Sequence, residues 1–237
     1  MLHIVLLETA LELVPSEITA KKDIQKHAYR RKKRPNELLL DQSYHGQAMT
    51  QLQDGNRRGR PDILFFCLQS ILETPLCKEG LLSLHIHLYD GRIIEVNQEV
   101  RVPRNYDRFV GLMEQLLLTG QVPPSGTALL KVTNKTLDTL LREIRSTTGE
   151  SLTLLAVEGG IQTSMKSLID LLPSDSRIPV ILGVGAFPHG DFQSTARDLF
   201  KHHIELDSEV MMAWHVCNEI LWCYSLKHDV IAKRYGK

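Results

Sequence analysis

The chain has 237 residues, 43% of them hydrophobic and 24% charged, with 28 Lys/Arg balanced by 28 Asp/Glu. That balance excludes a disordered polyion, and no apolar run reaches the roughly 20 residues that a membrane-spanning helix needs. The four cysteines (Cys67, Cys77, Cys217, Cys223) lack C-x-x-C spacing, so free thiols of a reducing cytosol are expected, without a zinc ribbon or redox pair.

The apolar start, MLHIVLLETALELV, lacks a basic flank and is interrupted by Glu8 and Glu12, so residues 2–7 read as a buried strand and not as a signal peptide. Residues 16–27 read as a charged helix that Pro15 helps to start. A short strand is expected over 38–40, with a turn or helix cap at 41–43. A helix over 44–52 then ends at Asp54-Gly55. After the basic loop 56–62, the apolar run 63–72 reads as helix or strand. Residues 82–89 and 92–96 alternate around Asp90-Gly91 and predict a hairpin with a two-residue type I′ turn. A helix over 106–118 closes at Gly120, and 121–126, with two prolines, reads as a linker. From 127 onward strand and helix alternate: 128–132 then 135–145, 153–157 then 161–172, 180–184 and its loop, and 203–206 then 210–225. This alternation predicts a parallel sheet covered by helices.

The stretch 178–192, IPVILGVGAFPHGDF, carries the strongest sign of a ligand. A strand buried on both faces ends in Gly183, Gly185, Pro188 and Gly190, with His189 and Asp191 at the tip. It is not the dinucleotide fingerprint, because position 188 is proline where a third glycine would fall and Gly190 comes two residues late. A loop that holds its ligand through backbone atoms is the better reading.

Cations cluster in three places. Residues 20–34 hold eight Lys/Arg against one Asp, Arg57, Arg58 and Arg60 share a loop, and Arg101, Arg104 and Arg108 are spaced by three and four. A basic run is ordinarily a solvated face. If residues 101–108 are helical, however, three guanidiniums share one side, and a phosphate backbone of RNA or DNA would relieve their repulsion. Asp62 reads either as the N-cap of a helix starting at 63 or as a carboxylate held among arginines, ready to accept a proton or hydrogen bond. His85 and His87 share a strand face without a third ligand, so no metal site is expected, and no G-x-S-x-G is present. The last helix, with Met211, Met212, Trp214, Ile220, Leu221 and Trp222, is apolar over more than one stripe. It suits a core helix, a dimer interface, or the wall of an adenine pocket.

Taken in order, DQSYHGQAM, RRGRPDILFFCL, LYDGRIIEVNQEVRVPRNYDRFVGLMEQLL and VILGVGAFPHGDF resemble the ribosome-biogenesis pseudouridine-N1-methyltransferases of the SPOUT, or α/β-knot, superfamily. The resemblance runs through nearly the whole chain. It implies an α/β fold with a mostly parallel sheet covered by helices, a C-terminal trefoil knot, and a β-hairpin/helix insertion, all in one domain. Residues 1–120 would carry the RNA-binding loops and 127–237 the cofactor. S-adenosyl-L-methionine would be held by Val157, Gly185, Gly190 and the loop Leu206, Asp207, Ser208, Glu209, Val210 and Met211, largely through backbone. The stretch LDSEVMMAW departs from the small, proline-containing turn common there. The substrate would be a pseudouridine in small-subunit ribosomal RNA, bound by Arg57, Arg60, Arg101, Arg104 and Arg108, with Asp62 and Arg60 as the catalytic pair. A homodimer is implied, acting in the cytoplasm or, in a eukaryote, the nucleolus, with other ribosome-assembly proteins as further partners. Two rivals are a non-catalytic RNA-binding assembly factor and an enzyme acting on a transfer-RNA base.

Overall fold

In the computed structural model, which describes residues 1–146 and 150–236, β1 (Leu2–Thr9) is buried along its entire length, with His3, Glu8 and Thr9 buried beside its apolar residues. One 3-10 turn (Ser16–Ile18) follows, and then helix α1 (Lys22–Arg31). The single helix expected over 16–27 is therefore split. Thr19 Oγ1 donates to the Ser16 carbonyl at 2.9 Å, which closes the first turn locally, and Lys21 is extended. Residues 38–40 make only an isolated bridge, Leu13 to Leu39, before α2 (Gln42–Met49), which is capped by the Asp41 carboxylate accepting from the Ser43 N–H at 2.8 Å.

Helix α3 (Pro61–Leu72) settles the helix-or-strand ambiguity of 63–72, and α4 (Pro75–Lys78) follows it. Strands β2 (Leu82–Leu88) and β3 (Ile93–Val96) form the expected antiparallel hairpin. Its loop is longer than predicted. Leu88 N–H bonds the Arg92 carbonyl, and of Asp90 and Gly91 only Gly91 has positive φ, whereas a type I′ turn needs it at both. Helix α5 (Tyr106–Thr119) closes on left-handed Gly120, as read from the sequence, and starts at an Asn105 cap that the sequence reading did not name. The stretch expected to be a linker instead begins with β4 (Gln121–Val122), paired antiparallel to β5 (Leu130–Thr133).

Helix α6 (Leu137–Ser146) precedes β6 (Leu152–Gln162), which runs past the strand expected over 153–157, through Gly159 and Gly160, and takes up the start of the helix expected over 161–172. The two glycines mark a bulge where β6 crosses β8 (His202–Glu205), and a Cβ on Gly160 would lie 2.7 Å from the Ile204 backbone. Between these strands come α7 (Met165–Leu171), β7 (Val180–Gly185) and the short α8 (Ser194–Arg197). The last helices are α9 (Ala213–Lys227) and α10 (Val230–Tyr235). Helix α9 starts three residues later than predicted, because the Asp207 carboxylate accepts from the Glu209 N–H at 2.8 Å and holds a turn there.

The strands join in one sheet, ordered β4-β5-β3-β2-β1-β7-β6-β8. From β8 to β2 all pairings are parallel, whereas β3, β5 and β4 extend the sheet antiparallel. The mostly parallel sheet with a hairpin and helix extension was therefore legible in the sequence, except that the strand expected at 128–132 joins the antiparallel extension as β5, because it pairs with β3 and β4 and not with the parallel strands. One face packs Leu2, Ile4 and Leu6 of β1 under α3, α5 and α9, and the other packs Val5 and Leu7 under α6. A separate cluster joins α1 to α2 through Ile18, Ile24, Ala28, Leu38 and Leu40. Among the described residues no helix is long and apolar enough to cross a membrane.

Candidate active site

A cleft of about 650 Å³ opens where the carboxyl ends of β6, β7 and β8 meet the loop before α9. This edge of a parallel sheet is where ligands bind in α/β folds, because the strands stop there and the loops diverge. Of the residues implied as cofactor contacts, Val157, Gly185, Gly190, Leu206, Asp207, Glu209, Val210 and Met211 line the cleft, and Ser208 does not. Gly190 has φ +86, a conformation that lets the 187–192 loop fold back over the opening.

Other wall residues lay outside the sequence reading. Val184 and Ile204 supply apolar surface beside Val216 of α9, the helix whose start was expected to wall an adenine pocket, and Phe187 and Phe192 meet edge-to-face at 5.3 Å. Their signal was hydrophobicity alone, which does not distinguish a cleft wall from a core. Glu158 and Glu205 also line the site, and Glu205 Oε1 accepts from the Gly159 N–H at 2.8 Å. Together with Asp191, Asp207 and Glu209 they make the lining acidic, and none of the described lining residues is Lys or Arg. An acidic, partly apolar cleft suits a nucleoside carrying a positive charge and disfavours a polyphosphate.

The arginines divide into two sets. Arg57 is a clamp. Its Nη2 meets Glu8 Oε2 at 2.5 Å, its Nη1 donates to the Asp191 carbonyl, and its guanidinium lies 4.2 Å from the centre of the Phe187 ring. Glu8 also accepts from the Gln193 N–H at 2.9 Å. Burial pushes the Glu8 carboxyl above its ordinary pKa, although the Gln193 N–H and the Arg57 guanidinium oppose the shift. Arg58 is held bidentate by Glu12 at 2.7 and 2.5 Å. Arg101, Arg104 and Arg108, by contrast, are exposed. They do not share a helical face, since α5 begins only at Tyr106, and Arg104 lies 4.0 Å from Glu73.

Arg60 and Asp62 stand between these sets. Arg60 Nε and Nη2 donate to the two Asp62 oxygens at 2.8 and 2.7 Å, and both side chains remain about 32% exposed. Asp62 is not the N-cap. Arg60 occupies that position, and Asp62 sits inside the first turn of α3, where a carboxylate favours the helix dipole. Nearby, the Tyr106 hydroxyl donates to Asp41 Oδ2 at 2.9 Å. Burial, followed by Asp41, raises the phenol's pKa and keeps it protonated. Ala10 joins pair and cleft. Its N–H donates to the Ala186 carbonyl at 3.0 Å, and its carbonyl accepts the Arg60 N–H at 3.1 Å.

Fold and site thus define an α/β protein with a nucleoside-sized acidic cleft beside an arginine-rich rim. A family model described as EMG1/NEP1 methyltransferase matches residues 4–225, and the chain belongs to that family. It is 42% identical over 224 residues to the ribosomal RNA small subunit methyltransferase Nep1 of Thermococcus sibiricus, covering 94% of this chain and 97% of that one. The Nep1 of Saccharolobus solfataricus is 40% identical over 228 residues, covering 93% and 98%. Among solved structures, Archaeoglobus fulgidus Nep1 bound to S-adenosylhomocysteine superposes with a TM-score of 0.80 at 36% identity, covering 94% and 97%.

Proposed function

We propose that this protein transfers a methyl group from S-adenosyl-L-methionine to small-subunit ribosomal RNA, at N1 of a pseudouridine. The observation that carries the reading is the acidic cleft at the ends of β6, β7 and β8, tied through Ala10 to the Arg60–Asp62 pair. The apolar walls fit an adenosine, and the carboxylates fit hydroxyl, ammonium and sulfonium groups. When bound, the cofactor supplies an electrophilic methyl group for in-line displacement by a ring nitrogen.

The chain's own residues position that nitrogen and manage its proton. N1–H of pseudouridine is a weakly acidic, imide-like group that uridine lacks. Asp62 uses one lone pair on each oxygen for Arg60, which leaves two facing outward to accept or orient the N1 proton. Arg60 keeps Nη1 free to donate to the base as negative charge builds on it. Arg101, Arg104 and Arg108 hold phosphates, while Arg57 braces the cofactor loop. The chain acts as one methyltransferase domain, with the RNA contacts in its first half and a trefoil knot around the cofactor in its second. Two copies pair, a reading supported by Trp222 and Leu226, one helical turn apart on α9 and 54% and 60% exposed.

Calorimetric titration with S-adenosylmethionine and S-adenosylhomocysteine tests the pocket, with binding near one molecule per chain expected. Methyl transfer to an RNA loop containing pseudouridine, and none to the same loop containing uridine, then tests the substrate. Tight RNA binding without cofactor binding would favour a non-catalytic assembly factor.

A further inference from the structure

Helix α1 is an amphipathic element whose outer side is cationic and has no described role. Residues 20–34 hold eight of the chain's 28 Lys/Arg with one of its 28 Asp/Glu, so a neutral protein places its largest local excess of positive charge here. Not all of it is available. Arg31 and Lys33 meet the buried Glu114 carboxylate at 3.1 and 2.5 Å, and Arg34 pairs with Glu37. Lys22, Lys26 and Arg30, spaced by four residues, are exposed on one side of the helix and make no ion pair among the described residues. Tyr29 lies among them, 86% exposed. An ordinary solvated face has no need of a bare aromatic ring at its centre, whereas a ring flanked by cations suits a strand with stacked bases and phosphates.

The opposite side of α1 is fixed firmly, so these groups stand on a rigid support. Ile24 and Ala28 are buried against α2. Asp23 Oδ2 accepts the Ala48 N–H at 3.3 Å. The Asp41 N–H donates to His45 Nδ1 at 3.1 Å, which places the His45 hydrogen on Nε2, and this nitrogen donates to His27 Nδ1 at 2.8 Å.

The same contacts lead back to the catalytic pair. The Gly59 carbonyl, next to Arg60, accepts the Gln42 N–H at 2.8 Å. Two residues on, the Tyr44 ring, 47% exposed, stacks on His27 of α1 at 4.4 Å between ring centres. Tyr44 thus joins the segment that carries Arg60 to α1, whose outer side carries Tyr29 and Arg30. We propose that the outer face of α1 is a second RNA-binding surface, gripping the single strand that flanks the target nucleotide through Lys22, Lys26, Arg30 and Tyr29. This rests on RNA being the substrate.

The test compares a pseudouridine-containing RNA hairpin with the same hairpin carrying single-stranded extensions on both sides. Affinities are measured over a series of salt concentrations. The parent protein is expected to bind the extended RNA more tightly. In the combined variant Lys22→Gln, Lys26→Gln, Arg30→Gln that advantage disappears, and the slope of log affinity against log salt falls by about 2, roughly 0.7 per lost phosphate contact. Tyr29→Ala weakens the extended RNA about tenfold while leaving the salt slope unchanged, as loss of stacking predicts. A melting temperature equal to the parent's shows that the fold is kept. Parent-like affinity and slope for the triple variant overturn the proposal while leaving the methyltransferase reading intact. So does unchanged RNA binding combined with lost binding to an acidic assembly protein. A parent that binds neither RNA overturns both readings together.

Discussion

The cleft and its rim lie side by side and are built in opposite ways. The cleft presents apolar walls, backbone and carboxylates, with no Lys or Arg among its described lining residues. The rim presents guanidiniums, some locked by carboxylates and some exposed. A cationic nucleoside and an anionic polymer are thereby sorted before any specific contact forms. The locked and exposed arginines differ in turn. Arg57 and Arg58 are about 15% and 13% exposed and bound to Glu8 and Glu12, whereas the Arg104 side chain is 82% exposed. Buried pairs of that kind hold architecture, because losing one partner strands a charge, while an exposed arginine is free for a phosphate.

Four experiments probe this contrast. The largest effect is expected at the junction. Asp62→Asn keeps the shape but removes the charge that holds Arg60, and methyl transfer should fall by about 10²- to 10⁴-fold, with RNA affinity changed by less than about threefold. Near-normal turnover in a single-turnover assay would leave Asp62 as a first-turn helix residue and nothing more.

Arg57→Ala should behave as a scaffold lesion. It leaves Glu8 buried without its cation, costing about 2–4 kcal/mol in a denaturation titration, and loosens the cofactor loop so that S-adenosylhomocysteine binds about tenfold more weakly. Its RNA salt slope should stay at the parent value. A lower slope would move Arg57 into the phosphate-binding set.

Acid should weaken the architecture ahead of the exposed contacts. His3, His45 and His85 are lowered to about 4, chiefly by burial, and so are neutral in the fold. Unfolded histidines titrate near 6.5, so their contribution is complete above that pH and is lost as pH falls from about 6.5 toward 4. A melting midpoint lower by on the order of 5 °C at pH 5 than at pH 7.5 is expected. A flat profile would mean that these rings can take up a proton without moving. His45→Gln should reduce the acid sensitivity.

The smallest effect belongs to Arg104→Ala. It should weaken RNA by a few-fold and lower the salt slope by about 0.7, with melting temperature and cofactor affinity unchanged. A stability loss above about 1 kcal/mol would place Arg104 with the structural arginines.

Much of the fold was legible where local pattern and burial agree. The run at 2–7 is continuous because β1 is buried on both faces, and Gly120 marked the end of α5. The readings that failed did so where a short local bond or the approach of another strand overrode the pattern. The helix expected over 16–27 yielded to a Thr19 turn, the linker's first residues became an edge strand against β5, and β6 ran on through two glycines because β8 approaches closely there. The three-and-four spacing of Arg101, Arg104 and Arg108 suggested a shared helical face, but Arg101 and Arg104 lie ahead of the helix.

From its amino acids alone, then, this protein declared an α/β fold, a glycine loop at the end of a buried strand, and an excess of cations in three segments. Periodicity, glycine and charge are local properties, and they survive in one dimension. Which arginines are free was decided only in three dimensions, because Glu8, Glu12 and Asp62 reach their partners across gaps of 49, 46 and 2 residues that no spacing rule distinguishes. The same holds for the acidic cleft, whose carboxylates come from β6, β8 and the loops after β7 and β8 and converge only once the sheet has formed.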